Sequence, residues 1–208
     1  MVVLTITIAV LMNMFLNLSK ENILAVTGTV AVALGFAFKD YASSIIAGIV
    51  GLFESPYRVG DRIKIGEYYG EVIGYGLRSV RIQTPDDNTI TIPHNKIWTE
   101  AVSNANAGAL EAQVVTSFYF AHDVEINLVQ KILYRTAQTS KYTALKLPIV
   151  VIISEEPWGT VFKLKAYPLD ARDEFLFQTD LITRAKQAFG KHQLDYPALP
   201  LPAANKKS

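Results

Sequence analysis

The sequence contains no cysteine. Disulfide frameworks, zinc–thiolate centres and thiol nucleophiles are therefore excluded. Histidine is scarce: His94, His122 and His192 are the whole supply, and no two of them have the spacing of a metal-binding pair. A G-x-S-x-G elbow and a phosphate-cradling glycine loop are both missing. The carboxylates read as a solvated face and His94, after a proline at a strand end, as a packing or capping residue. The expectation is a protein that is not an enzyme, with no catalytic residue, no metal and no cofactor.

Charge is also in short supply. Charged residues make up 19% of the chain, against about 25% in ordinary soluble domains. The deficit is local: residues 1–53 carry only Lys20, Glu21, Lys39 and Asp40. Beyond residue 53 there are 18 basic and 17 acidic side chains, so no general basic pull toward nucleic acid is present. A greasy N-terminal quarter is thus joined to a water-soluble remainder.

Met1–Leu18 is almost unbroken apolar sequence, and no Lys or Arg precedes Lys20. A signal peptide would have a basic leader and a small-residue cleavage site. The run reads instead as a membrane span near the lower length limit of about 17 residues. After the turn Ser19–Asn22, with Asn22 as a helix cap, a second span is expected over 23–38. On a helical wheel Ala25, Val32, Phe36 and Lys39 share one stripe. Small residues line both flanks, Gly28, Ala31 and Gly35 on one side, Thr29, Ala33 and Ala37 on the other. Ile23, Val30, Leu34 and Phe38 occupy the opposite face. Small flanks let membrane helices approach closely. Close neighbours on both sides suit a ring of identical helices, with the Val32–Phe36 stripe facing its axis. Lys39-Asp40 is costly within lipid and cheaper at a boundary or in a watery lumen. It predicts a break there, with Asp40 capping an amphipathic helix over 41–53 in which Gly48 and Gly51 favour a bend and close packing.

Ser55-Pro56 ends the helical pattern. Short alternating runs follow at 59–65, 71–73, 77–83 and 89–92, with a strong turn at Pro85-Asp86-Asp87-Asn88. They predict a small all-β barrel domain over 54–108. Residues 109–195 predict a two-layer α+β unit in the order β-α-β-β-α, with strands over 113–120, 148–154 and 161–167 and helices over 123–140 and 172–190. The continuous apolar run 148–154 predicts a covered strand. The tail, 196–208, is proline-rich and holds at most one short strand.

Several segments carry a family resemblance: 31–40 (AVALGFAFKD), Ala47-Gly48, 54–63 (ESPYRVGDRI), Gly70-Glu71-Val72, Gly76-Leu77-Arg78-Ser79 and Ile92-Pro93-His94-Asn95-Lys96. In this order and spacing, the chain over 25–104 resembles the small-conductance mechanosensitive channel family. The resemblance implies a homoheptamer in an inner membrane, opened by tension on hypo-osmotic stress. It implies a last membrane helix that lines the pore and kinks before a cytoplasmic, Sm-like β domain, and α+β domains below that form a vented chamber. The narrow apolar constriction falls on Val32 and Phe36, and the inner mouth on Lys39, Asp40 and Gly48, with Ala25, Gly28, Thr29, Ala31, Ala33 and Gly35 in helix packing. Partners are then the bilayer, other copies of the chain and permeating ions, not nucleic acid. The rival reading is a membrane-anchored Sm-like RNA-binding module using Arg58, Arg62, Lys64, Arg78 and Arg81. Interleaved Asp61, Glu67, Glu71, Asp86 and Asp87 oppose it.

Overall fold

The computed structural model describes residues 1–16 and 19–197. The expected tail segment lies mostly outside them, as do the last two residues of the first apolar run. Helix α1 covers Val2–Leu16. At about 1.5 Å per residue it is roughly 22 Å long, short of a hydrocarbon core of about 30 Å. Among the described residues one helix, α2 (Lys20–Glu54), is long and apolar enough to cross a membrane. The expected count of two spans is not confirmed: the described residues hold one helix of spanning length and one shorter apolar helix.

Helix α2 starts at Ser19, not Asn22. Ser19 has extended backbone angles, and its Oγ accepts from the Asn22 N–H at 3.3 Å. A hydroxyl reaching the third helical N–H is what a cap requires, so Asn22 falls inside the first turn. Helix α2 then runs unbroken for 35 residues, about 52 Å. The expected division at Lys39-Asp40 is absent: neither residue removes a backbone donor, and no proline interrupts the ladder. Ser55, with φ 46°, closes the helix in the left-handed region and returns its N–H to the Gly51 carbonyl. Pro56 prevents continuation.

Five strands follow: β1 (Arg62–Ile65), β2 (Tyr68–Tyr75), β3 (Ser79–Gln83), β4 (Thr89–Pro93) and β5 (Val102–Asn104), with helix α3 (His94–Thr99) between the last two. They form an antiparallel sheet in the order β4-β3-β2-β1-β5. Edges β4 and β5 are connected by α3, which caps the sheet, and the strand pairing by itself does not confirm the expected small barrel. A bulge at Val72/Gly74 bends β2. Ile63, Ile65, Val80 and Ile82 alternate into a buried core shared with Tyr57 and Ile97, as period-2 patterning requires.

The lower unit has the expected β-α-β-β-α order: β6 (Val114–Phe120), α4 (Ile126–Thr139), β7 (Val150–Glu156), β8 (Gly159–Ala166) and α5 (Glu174–Lys191). Its sheet order is β6-β8-β7, antiparallel throughout. Strand β8 is central, and β7 is an edge strand with Val150 and Ile152 exposed on the face away from the helices. The expected covered strand is therefore half covered. Helix α4 begins after Glu125, with no side-chain cap from Asp123. Its core is aromatic: Phe120 meets Phe162 and Phe189 edge-on, at 5.5 and 4.9 Å between centroids, the geometry that ring quadrupoles favour.

Candidate functional site: the long helix and its seat on the sheet

Every sequence-predicted site residue lies on α2. Along residues 20–40 this helix is exposed on all faces. Val32 and Phe36 are 60% and 74% exposed, and so is Leu34 across the helix at 53%. Ala25, Thr29, Ala31, Ala33, Lys39 and Asp40 are exposed as well. A Cβ placed on Gly28 or Gly35 would meet nothing within 4 Å. The fold of one chain therefore brings none of these residues against another element. Each buried Å² of such apolar surface is worth about 25 cal/mol, so a bare helix of this kind needs lipid or further copies to cover it. Thr29 does not add a free polar group: its hydroxyl donates to the Ala25 carbonyl at 2.9 Å.

Contact begins at Tyr41, whose ring lies 5.3 Å from the Arg78 guanidinium carbon. Ser44, Ala47 and Gly48 are buried against the sheet and α3. Small residues are required here. A Cβ on Gly48 would run into the Leu77 carbonyl and come 2.7 Å from the His94 ring, and one on Gly51 would strike the Tyr75 hydroxyl. Gly48 thus marks the closest approach of the helix to the sheet. Tyr75 uses that proximity, donating its hydroxyl to the Gly48 carbonyl at 2.8 Å. Its ring packs on His94 at a tilt of 32°, 4.6 Å between centroids, and His94 Nε2 donates to the Gly76 carbonyl at 2.8 Å. Burial raises the Tyr75 phenol above its ordinary value, and Tyr57 beside it is raised by burial and then by Tyr75. Hydrogen bonds and close packing hold the junction. A cleft of about 290 Å³ lies beneath it, lined by Ala47, Gly51, Tyr75, His94 and Trp98. A second, of about 440 Å³, runs up α2 past Gly35, Lys39 and Ile46.

The turn after α2 is stapled by a buried carboxylate. Asp61 accepts from the Arg58 and Gly108 N–H groups at 2.9 and 2.8 Å and from Asn104 Nδ2 at 2.8 Å. The ESPYRVGDRI segment thus has a structural explanation: Asp61 closes the loop onto β5. The proposed basic RNA face is not assembled, since Arg62 is buried and Arg78 is engaged with Tyr41. His94 is a packed side chain, as the sequence suggested. His122 pairs with Glu155 at 3.4 Å on the surface and His192 follows α5. Among the described residues no group of three His, Cys, Asp or Glu side chains could hold a metal ion.

Sequence reasoning did not find Tyr75 or His94 as partners of the helix, nor Arg62, Tyr69 and Glu174, which meet across the two soluble units. For Tyr75 and His94 the available signal was Gly48 and Gly51: two glycines three apart on a helix imply something large on the other side.

Two family descriptions match. Residues 40–107 match the mechanosensitive ion channel β-domain and residues 114–196 the mechanosensitive ion channel MscS C-terminal domain. The chain is 24% identical over 184 residues to a small-conductance mechanosensitive channel of Helicobacter pylori, covering 88% of this chain and 66% of the relative. An uncharacterized MscS family protein of Aquifex aeolicus is 37% identical over 82 residues, 39% of this chain and 22% of the relative. The chain thus spans less than two thirds of the length of these relatives. Its fold is similar to that of Helicobacter pylori MscS in the closed state, with a TM-score of 0.71 and 23% identity over 92% of this chain and 76% of that one. By these matches across both soluble units, the chain belongs to the MscS family of mechanosensitive ion channels.

Proposed function

We propose that copies of this chain form a tension-opened ion channel in a cell inner membrane, releasing ions and osmolytes on hypo-osmotic stress. The observation that carries this reading is α2: an apolar, small-flanked helix, bare on every face along residues 20–40 and seated at its far end on the β domain. In a ring, most simply of seven, the small flanks pack neighbour to neighbour and Val32 and Phe36 form two stacked apolar collars. Water in a narrow apolar collar loses hydrogen bonds that the wall cannot replace, so the pore dewets and ions meet a desolvation barrier. Tension favours the state of larger in-plane area, and outward tilting of α2 widens the collars. Helix α1 packs beside α2 within the bilayer as the second crossing. The positive-inside bias at Arg58, Arg62 and Lys64 puts both soluble units in the cytoplasm. There the β domain adopts the Sm-like arrangement of the family.

The test is suction threshold in membrane patches, normalised to a co-expressed reference channel. Phe36→Ser wets the collar and lowers the threshold, while Leu34→Ser, on the opposite face, does not. The reverse result would refute the axial placement of Val32 and Phe36, and absence of any suction-activated current in the wild type would refute the channel reading.

A further inference from the structure

The sheet β1–β5 and the α+β unit meet at a small polar contact. Tyr69 on β2 donates its hydroxyl to Glu174 Oε2 at 2.5 Å. Glu174 is the first residue of α5. Arg62 Nη1 on β1 lies 3.9 Å from the same oxygen, and its guanidinium sits 5.9 Å over the Phe175 ring. Arg62 is 7% exposed, and its Nε has no hydrogen-bond partner. A buried guanidinium with an idle N–H and a long ion pair is an under-satisfied group. A charge-assisted hydrogen bond closes at about 2.8 Å, so a shift of α5 toward β1 by roughly 1 Å would convert the long pair into a direct bond.

Strand β2 carries this contact at one end and the helix seat at the other. Tyr69 and Tyr75 are six residues apart on it, about 20 Å. The α+β unit is tied to the same region through its linker, where the Leu110 carbonyl accepts from the Ala171 N–H at 2.6 Å just before α5. A movement of α5 on the sheet is therefore delivered to the strand that holds α2.

We propose that Glu174 is an interdomain latch gripped by Tyr69 and Arg62, with the loose setting described above and a tight setting in which Arg62 bonds the carboxylate directly. Its setting governs how long α2 stays open under sustained tension. This last part rests on the channel reading.

The experiment uses the full-length chain. Hydrogen exchange in the first turn of α5 and in linker 105–113 is measured for wild type, Glu174→Gln, Tyr69→Phe and the double variant, with the exposed Asp123→Asn as a surface control. A hydrogen bond to a charged group is worth enough to change local opening about tenfold or more. Each single variant should accelerate exchange there by about that factor, the double no more than the larger single, and the control not at all. Unchanged exchange in both singles, or fully multiplicative effects, would overturn the latch. Tyr69→Phe removes one hydroxyl and serves if Glu174→Gln fails to fold. In patches, Glu174→Gln should change the rate of current decay under held suction several-fold at an unaltered opening threshold. Faster exchange with unaltered decay would overturn the gating role. The exchange result stands whether or not the wild type conducts, so a failed latch and a failed channel reading are told apart.

Discussion

At the scale of the residue, buried acids and hydroxyls decide most of the local geometry. Asp61 holds three donors from three parts of the chain, and a neutral or apolar side chain there would leave them facing one another. Asp170 does related work in the lower unit. Its carboxylate caps the short turn Ala171–Asp173 through the Arg172 N–H at 2.9 Å and takes three bonds from the Arg172 guanidinium, two of them from Nε. Those bonds hold its folded-state pKa below the ordinary value, against a smaller opposing effect of burial. A depressed folded-state value means the stabilisation is present above the unfolded value, about 3.9, and is lost as pH falls through the depressed one. Wild type should therefore lose more thermal stability than Asp170→Asn as pH falls from 5 through that depressed value, by about 0.2–1 kcal/mol because solvent screens this largely exposed pair. Melting curves of the two proteins side by side check this, since Glu111 and Asp180, also depressed, titrate in both. Parallel acid limbs would show that the Asp170 charge contributes nothing.

At the scale of the element, α2 is two helices in one. Residues 20–40 carry small and bulky faces that no other element of the chain covers, and residues 44–51 present small residues to the sheet and α3. The cost of enlarging a residue should differ sharply between the halves. Gly48→Val forces a branched side chain into the Leu77 carbonyl and the His94 ring, an overpacking penalty of about 1–3 kcal/mol or more, and breaks the Tyr75 bond. In a Trp158→Phe background, Trp98, which lines the clefts on α3, reports this as a change in emission. Gly28→Val, with open space around it in the single chain, should leave Trp98 as it was. Equal responses would mean that the helix is not seated where it is described. Patterning made much of this element readable. The 3.6-residue period placed its faces, and its glycines announced close contact. It did not reveal continuity through Lys39-Asp40, because charge alone does not break a helix when every N–H still has a carbonyl four residues back.

At the scale of the whole molecule, the soluble units were legible in proportion to how far their order depends on local signals. Alternation and the Pro85–Asn88 turn gave the hairpins, and the period change from 2 to 3.6 gave α4 and α5. What escaped was whatever requires knowing which distant segments meet: the edge position of β7 despite its apolar run, the α3 cap on the sheet, and the meeting of Arg62 and Tyr69 with Glu174. No pattern within a segment encodes those. The proposed ring is a third level, where the same helix would have to find copies of itself. Native mass spectrometry of the detergent-solubilised protein should give one closed species, of seven chains. Gly35→Leu, which widens one small flank, should shift it toward smaller or mixed species. A dominant monomer or dimer in the unaltered protein would refute ring formation through these flanks.

The continuity of α2 also has a mechanical meaning. A helix without a joint behaves as a stiff beam, and this one is fixed at Gly48 by close packing and by the Tyr75 hydroxyl. From that fulcrum to Lys20 is a lever arm of about 42 Å. A rotation of 10° at the fulcrum sweeps the far end through roughly 7 Å, and the level of Phe36 through about 3 Å. The beam thus gears a slight rocking of the sheet into a large excursion at the far end of the helix. Seen from the other end, a sideways pull there reaches the sheet with mechanical advantage, as torque concentrated on Gly48, Tyr75 and His94.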